Sequence, residues 1–81
     1  MEIGYAFLNI KPGEKRTVIK RLKEIDGVKE AHIILGIFDA IIRIEAETIE
    51  DIEGIYFNKI EKIPNITGCR LHIVACPRAR K

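Results

Sequence analysis

The sequence contains no serine, glutamine or tryptophan, and it has only two cysteines and one methionine. Without serine, the hydroxyl nucleophile of many covalent mechanisms is missing. The cysteines, Cys69 and Cys76, are too few for a disulfide framework. Because we expect them to lie along one strand, they cannot reach each other to form a bond. These features predict a reduced, cytoplasmic protein.

Long apolar runs and a strong charge of one sign are also missing. No apolar stretch approaches the roughly 20 residues of a membrane-spanning helix, and residues 1–4 do not begin a signal peptide. Fourteen basic and twelve acidic side chains give a net charge of +2. Three of the fourteen lie in a basic C-terminal tail, residues 76–81, which leaves eleven against twelve in residues 1–75. A near-neutral body excludes a protein that binds nucleic acid over its whole surface.

The composition that remains is that of one small domain, residues 1–75. Of 81 residues, 47% are hydrophobic and 32% are charged, as in ordinary globular proteins. Isoleucine is the commonest residue and charged pairs are plentiful, a bias that suits a thermophile. A chain this short buries only about 60% of its unfolded surface, so its core would gain from oligomerisation.

The hydrophobic pattern predicts six elements in the order βαββαβ. Aromatic and branched residues predict strands over residues 3–10, 28–35, 40–46 and 66–75. Helical spacing of apolar residues predicts helices over 14–25 and from Ile49 to Ile63, the second one opened by a capping box at Thr48. Gly54 inside this helix suggests that another group packs closely there.

Two β-α-β units of this kind, each crossing over right-handedly, interleave into a known α+β arrangement. The prediction is a ferredoxin-like fold, a four-stranded antiparallel sheet of order 4-1-3-2 with both helices on one face. Strand alternation places one apolar set beneath the helices. Its members are Ala6, Leu8, Ile10, Ala31, Ile33, Leu35, Ile42, Ile44, Leu71 and Ile73.

The opposite face of the predicted sheet mixes polar residues with an apolar group. Its five apolar members are Tyr5, Phe7, Ile34, Ile41 and Val74. Soluble monomers rarely expose a patch of this size. We therefore expect these five residues to form a dimer interface with a second copy packed face to face. A sheet that simply leaves one face half apolar is the plainer alternative.

Candidates for metal binding and catalysis are few. His32 and His72 fall on opposite edge strands, about 14 Å apart, too far for one metal ion. No metal-ligand spacing involves Cys69 or Cys76, so we expect neither a metal nor a cofactor. Neither cysteine has an evident basic partner, and the acidic residues between 45 and 51 suit a helix start. We expect no enzymatic activity. An RNA-recognition surface is poorly supported, because the third strand lacks aromatic residues.

The link between the second and third strands, Gly36-Ile37-Phe38-Asp39, carries the most information. Gly36 permits a sharp turn and a close approach of a ligand or a second chain. Asp39 provides a carboxylate that could receive an ammonium group. On residue types alone, a plain hairpin in which Asp39 caps the turn is favoured.

Five short motifs recur in a recognisable order along the chain: Pro12-Gly13, Ile25-Asp26-Gly27-Val28, Gly36-Ile37-Phe38-Asp39, Ile44-Glu45-Ala46 and Ile63-Pro64-Asn65-Ile66-Thr67. From about residue 3 to 75 the sequence resembles the effector-binding (RAM) domain of the Lrp/AsnC transcriptional regulators. The resemblance implies subunits of the dimeric α/β-barrel type, paired sheet to sheet and assembled into octamer-like rings. It also implies an amino-acid effector between dimers, bound by Gly36, Phe38, Asp39, Thr67 and Cys69.

The function implied by the resemblance is an amino-acid-binding regulatory and oligomerisation module. It would modulate full-length Lrp/AsnC regulators by co-assembly, without binding DNA or a membrane itself. Since the chain starts at the first strand, it resembles a stand-alone module without a helix-turn-helix domain. Two alternatives stay open. One is a small dimeric α/β-barrel enzyme, oxygenase- or isomerase-like, with His32, His72 or Tyr5 as acid–base residues. The other is a purely structural oligomer.

Overall fold

Residues 1–75 are described by a computed structural model. Their elements are β1 (Glu2–Ile10), α1 (Lys15–Lys23), β2 (Val28–Ile33), β3 (Ala40–Ala46), α2 (Ile49–Ile55), a π-helical turn (Tyr56–Ile60) and β4 (Ile66–Ile73). The strands form one antiparallel sheet in the order β2-β3-β1-β4. This is the predicted order, and the ferredoxin-like fold is confirmed. Cys76 and the basic tail lie outside the described residues.

The core lies between the sheet and the two helices, on what we call the covered face. Leu8, Ile42 and Ile44 alternate along the central strands and are fully buried. Leu22 of α1 and Ile52 of α2 belong to the same cluster. Each such side chain contributes about 1.5–3 kcal/mol by leaving water. The covered face therefore supplies most of the burial that a single chain can achieve. No helix within residues 1–75 is long and apolar enough to cross a membrane.

The second strand is shorter than predicted, and two residues assigned to the covered face are exposed. β2 ends at Ile33, so the prediction of a strand through Leu35 is wrong. Ile33 is 46% exposed and Leu35 is 95% exposed. Alternation identifies the side to which a residue points, but it does not tell whether a helix extends far enough to cover it. Ile33 lies at the end of an edge strand, opposite Ala40, and the chain leaves the sheet after it.

The second helix changes its geometry halfway. The pattern predicted one helix to Ile63, but the α-helical part ends at Ile55 and a π-helical turn follows. A hydrogen bond of 2.9 Å from Glu61 N–H to Tyr56 O closes this turn. Ile52, Tyr56 and Ile60 are four residues apart and all buried. In a regular α-helix, side chains four residues apart point in directions that differ by about 40°. The wider turn keeps Tyr56 and Ile60 facing the sheet.

The close packing expected at Gly54 occurs at two other glycines. A Cβ at Gly54 would meet only the Asn58 side chain, at 3.9 Å. At Gly4, a Cβ would lie 2.9 Å from Ile52 Cγ2, so α2 crosses β1 at this point. Gly27 has a φ of +98°, and a Cβ there would lie 2.6 Å from Ile55 Cδ1. These glycines set the separation between α2 and the sheet.

Candidate functional site

Asp39 is held at the start of β3 by four contacts. Its N–H donates to Leu8 O at 2.8 Å, and its carbonyl oxygen accepts from Ile34 N–H at 2.9 Å, which closes the loop 34–39. In the carboxylate, Oδ2 accepts from Ile10 N–H at 2.8 Å, and Oδ1 lies 3.6 Å from Lys15 Nζ. The carboxylate thus caps the end of β1 and neutralises one lysine. The residue types favoured an Asp39 that caps its own turn, but the hydrogen bond of its carboxylate goes to a different strand.

An open cleft of about 460 Å³ lies beside the Asp39 carboxylate. It is lined by Ile10, Pro12, Gly13, Lys15, Arg16 and Asp39. The turn after β1 forms one wall, and Gly13 in this turn has a φ of +87°. The first residues of α1 supply both cations. A volume of this order suits a small molecule, and the lining offers it two positive groups, one negative group and an apolar wall.

The five residues predicted to bind an effector do not form one site within the chain. Asp39 lines the cleft, whereas Gly36 lies in the exposed loop with a φ of +140° and open space around the position of a Cβ. The Phe38 ring packs against Phe7, with centroids 5.5 Å apart. Thr67 is exposed at the start of β4. Two adjacent residues, Phe38 and Asp39, thus contact different surfaces.

Cys69 belongs to a separate cluster with Tyr56 and Glu61. Its Sγ donates to Glu61 Oε2 at 3.5 Å. Burial raises the pKa of the Cys69 thiol, and burial together with the hydrogen bond to Cys69 raises the pKa of Tyr56 above its usual 10.0. Both groups are therefore neutral near pH 7, and Cys69 is a poor nucleophile. Cys69 lies on β4, where it pairs with Leu8 of β1. Because β1 separates β4 from β3, Cys69 is two strand spacings, or about 10 Å, away from β3.

The open face is the side of the sheet away from the helices. Register places Tyr5 between Arg43 and His72, and Phe7 between Ile41 and Arg70. Of the five residues predicted to form a dimer interface, Tyr5, Phe7 and Ile41 lie on this side by their register, and Ile34 and Val74 follow directly after the ends of β2 and β4. All five are half-buried.

Aromatic contacts and charged groups organise the open face further. The Phe7 ring is 5.5 Å from the rings of both Phe38 and His72. Arg43 Nε lies 2.8 Å from Glu45 Oε2, but its N–H is not aligned for a hydrogen bond, so this contact is one of charge. An aromatic centre with charged groups around it is the usual make-up of a protein interface.

The histidines considered for metal binding or catalysis are far apart. His32 lies on β2 and His72 on β4, the two edge strands of the sheet. His32 Nε2 is 3.2 Å from Glu30 Oε1 at the exposed end of its strand. Within residues 1–75, no three His, Cys, Asp or Glu side chains gather in a way that could hold a metal ion.

A comparison with protein families and curated proteins finds one consistent similarity. Residues 5–76 match the model of the Lrp/AsnC ligand binding domain. The chain is 30% identical over 67 residues to the HTH-type transcriptional regulator Ptr1 of Methanocaldococcus jannaschii. The match covers 83% of this chain and 45% of Ptr1, so the chain spans about half the length of that relative.

Solved structures show the same similarity. The crystal structure of FFRP-DM1 superposes with a TM-score of 0.87 at 28% identity, over 93% of this chain and 100% of that one. The hypothetical protein PHS023 from Pyrococcus horikoshii gives a TM-score of 0.86 at 28% identity, over 93% and 90% of the two chains. Both structures are similar to this chain along almost their whole length.

Proposed function

Because this chain belongs to the Lrp/AsnC ligand-binding domain family, we propose that it is a regulatory module that binds a free amino acid and acts by changing its assembly. Its partners are further copies of itself and full-length Lrp/AsnC regulators, in the cytoplasm. The family is one of transcriptional regulators, so the expected output is control of transcription rather than catalysis.

The observation that carries this proposal is the position of two consecutive residues. Phe38 packs on Phe7 of the open face, and Asp39 lines the cleft beside α1. A ligand that moves or fixes the loop 34–39 changes the open face as well. If the open face pairs with a second copy, binding and assembly are coupled, and each shifts the other by the same factor.

Pairing through the open face uses the five residues Tyr5, Phe7, Ile34, Ile41 and Val74. In one chain these side chains are only half-buried, and a second sheet packed against them would remove their apolar area from water. Aromatic residues in the centre of an interface usually contribute most of its affinity. Dimers formed in this way would then assemble further into an octamer-like ring.

Effector binding uses Asp39 as the acceptor of the ligand's ammonium group and backbone N–H groups near Gly36 for its carboxylate. Because Gly36, Phe38, Asp39, Thr67 and Cys69 do not surround one cleft in a single chain, the complete site requires a second subunit. The loop 34–39 of one subunit and the start of β4 of its neighbour are the proposed halves. In that segment of β4, Thr67 contributes a hydroxyl group to the site.

The enzyme alternative requires a roomy pocket between the sheet and the helices. Leu8, Ile42 and Ile44 fill this space and are fully buried. The purely structural oligomer differs from the sensor only in lacking a ligand, so a binding experiment separates these two functions.

The test is the mass in solution, measured by light scattering on a sizing column with and without a mixture of the twenty amino acids. We expect a dimer or a larger assembly whose mass or thermal stability changes with the mixture. A ring that ignores every amino acid would favour the structural oligomer. A monomer would contradict the proposal.

A further inference from the structure

The cleft beside Asp39 already contains an ammonium group that belongs to the protein. Lys15 Nζ lies 3.6 Å from Asp39 Oδ1, and the other carboxylate oxygen is taken by Ile10 N–H. An amino acid that binds Asp39 through its own ammonium group therefore competes with Lys15 for this carboxylate. The Lys15 side chain is 39% exposed, so it can move aside at small cost.

Displacing Lys15 changes the charge that the ligand meets. The charged lining of the cleft consists of Lys15, Arg16 and Asp39, with a net charge of +1. The rest of the wall is uncharged. Within residues 1–75, no carboxylate lies within 4.0 Å of the Arg16 guanidinium. Once a ligand ammonium pairs with Asp39, two cations are left facing the same small molecule.

We propose, on the basis of the function stated above, that the effector is an acidic amino acid, glutamate or aspartate. Its ammonium group binds Asp39, its α-carboxylate binds the backbone N–H groups near Gly36, and its side-chain carboxylate pairs with Lys15 and Arg16. Its net charge of −1 complements the cleft. A neutral amino acid has no second carboxylate and leaves both cations without a partner, and a basic one brings its extra charge towards Lys15 and Arg16. The guanidinium of Arg16 can bind a carboxylate through two parallel hydrogen bonds.

The expected discrimination is moderate because the cleft is open. A charge-assisted contact in a half-exposed site corresponds to a preference of roughly tenfold for glutamate over glutamine, which has the same shape without the charge. Salt screens exposed charges over about 8–10 Å at physiological ionic strength. The preference for glutamate should therefore shrink as salt is added, while any binding that depends on shape alone should change little.

The experiment is a calorimetric titration of the full chain with L-glutamate, L-aspartate, L-glutamine, L-asparagine and L-lysine. Three proteins are compared: the natural sequence, Arg16→Gln, and the matched control Arg21→Gln. Arg21 is an exposed arginine on the same helix and does not line the cleft. We expect the two acidic ligands to bind about tenfold more tightly than their amides. Arg16→Gln should abolish this preference, and Arg21→Gln should keep it.

Two results would overturn the inference in different ways. If glutamine, asparagine or lysine binds as tightly as glutamate, or if Arg16→Gln leaves the preference intact, the acidic specificity is wrong while amino-acid sensing stands. If none of the five ligands binds the natural sequence, the acidic specificity is again wrong. Titration with the other fifteen amino acids then decides whether sensing itself fails as well.

Discussion

The two faces of the sheet are formed by the same strands but have different roles, and neighbouring residues on β1 show the difference. Leu8 points to the helices and is 0% exposed. Phe7 points to the other side and is half-buried, in contact with Phe38 and His72. On the covered face, one chain completes its own burial. On the open face, apolar side chains remain in contact with water until another surface covers them.

This difference means that the two faces respond differently to protein concentration. Packing within one chain stabilises the fold equally at any protein concentration. A contact between copies stabilises it more as the protein concentration rises, because more of the chains are then associated. Charged groups such as Arg43 and Glu45 keep the open face compatible with water. We therefore expect mutations of the covered face to change folding and mutations of the open face to change assembly.

The largest effect is expected from a truncation on the covered face. Leu8→Ala should lower the free energy of unfolding by about 3 kcal/mol, because it removes a fully buried side chain and leaves a cavity. The effect should be the same at low and high protein concentration in urea denaturation. If Leu8→Ala does not fold, the same test can be made with Ile42→Val, at another buried residue. This variant should lower the free energy of unfolding by about 1 kcal/mol. A concentration-dependent loss would contradict the division between faces.

The next effect is expected from a charge placed on the open face. Phe7→Glu should weaken dimerisation by about 2 kcal/mol or more, roughly 30-fold, because it puts a charge in the apolar centre of the proposed interface. Its circular dichroism should stay that of a folded protein. Phe57→Glu is the matched control, since Phe57 is 51% exposed and lies on the π-helical turn, away from the open face. Equal masses for the two variants would contradict pairing through the open face.

A smaller effect is expected from pH, and it should come from the side of the helices. The pKa values of Tyr56 and Cys69 are raised in the folded state, mainly by burial. As the pH rises above 9 to 10, the unfolded chain therefore loses these protons first, and the free energy of unfolding falls. Below that range the contribution is fully present. Chemical denaturation between pH 7 and 11 measures it.

Two tyrosine variants sharpen this test. Tyr56→Phe should reduce the alkaline loss of stability, because it removes one of the two groups responsible. Tyr5→Phe, on the open face, should retain the full loss. If the two variants show the same pH profile, the alkaline sensitivity does not arise at Tyr56.

The smallest effect on stability is expected at the boundary between the faces, from Asp39→Asn. The amide keeps an acceptor for Ile10 N–H and loses the attraction to Lys15, which at half-exposed groups is worth less than about 1 kcal/mol. Binding of an amino acid should nevertheless be lost. Asp26→Asn, at an exposed aspartate outside the cleft, should leave both quantities unchanged. Thermal shift with and without amino acids provides both readouts.

Much of the fold could be predicted because its signals are local. Alternation along β1 and β3 identified Ala6, Leu8, Ile42 and Ile44 as core residues, and they are buried. The order βαββαβ, with short links, leaves few topologies. The mistakes lie where a local pattern depends on a distant element. Leu35 continues the alternation of β2, but it lies beyond the last residue of that strand.

The candidate site was predictable only in part. The motif around Asp39 indicated a loop that lies next to a cleft, but the residue types did not show that Phe38 packs on the open face or that Cys69 belongs with Tyr56. Lys15 and Arg16 carried no signal as site residues, since basic residues on the outer side of a helix are common. Their importance follows from the position of α1 next to Asp39.

The sequence alone therefore determined the element order, the fold and the two faces of the sheet, because hydrophobic periodicity and turn residues act within a few positions along the chain. Only the tertiary structure decided that Asp39 pairs with Lys15, that α2 approaches the sheet at Gly4 and Gly27, and that Leu35 is exposed. These contacts join residues on separate elements. Their distances depend on how the helices pack on the sheet, which no local pattern records.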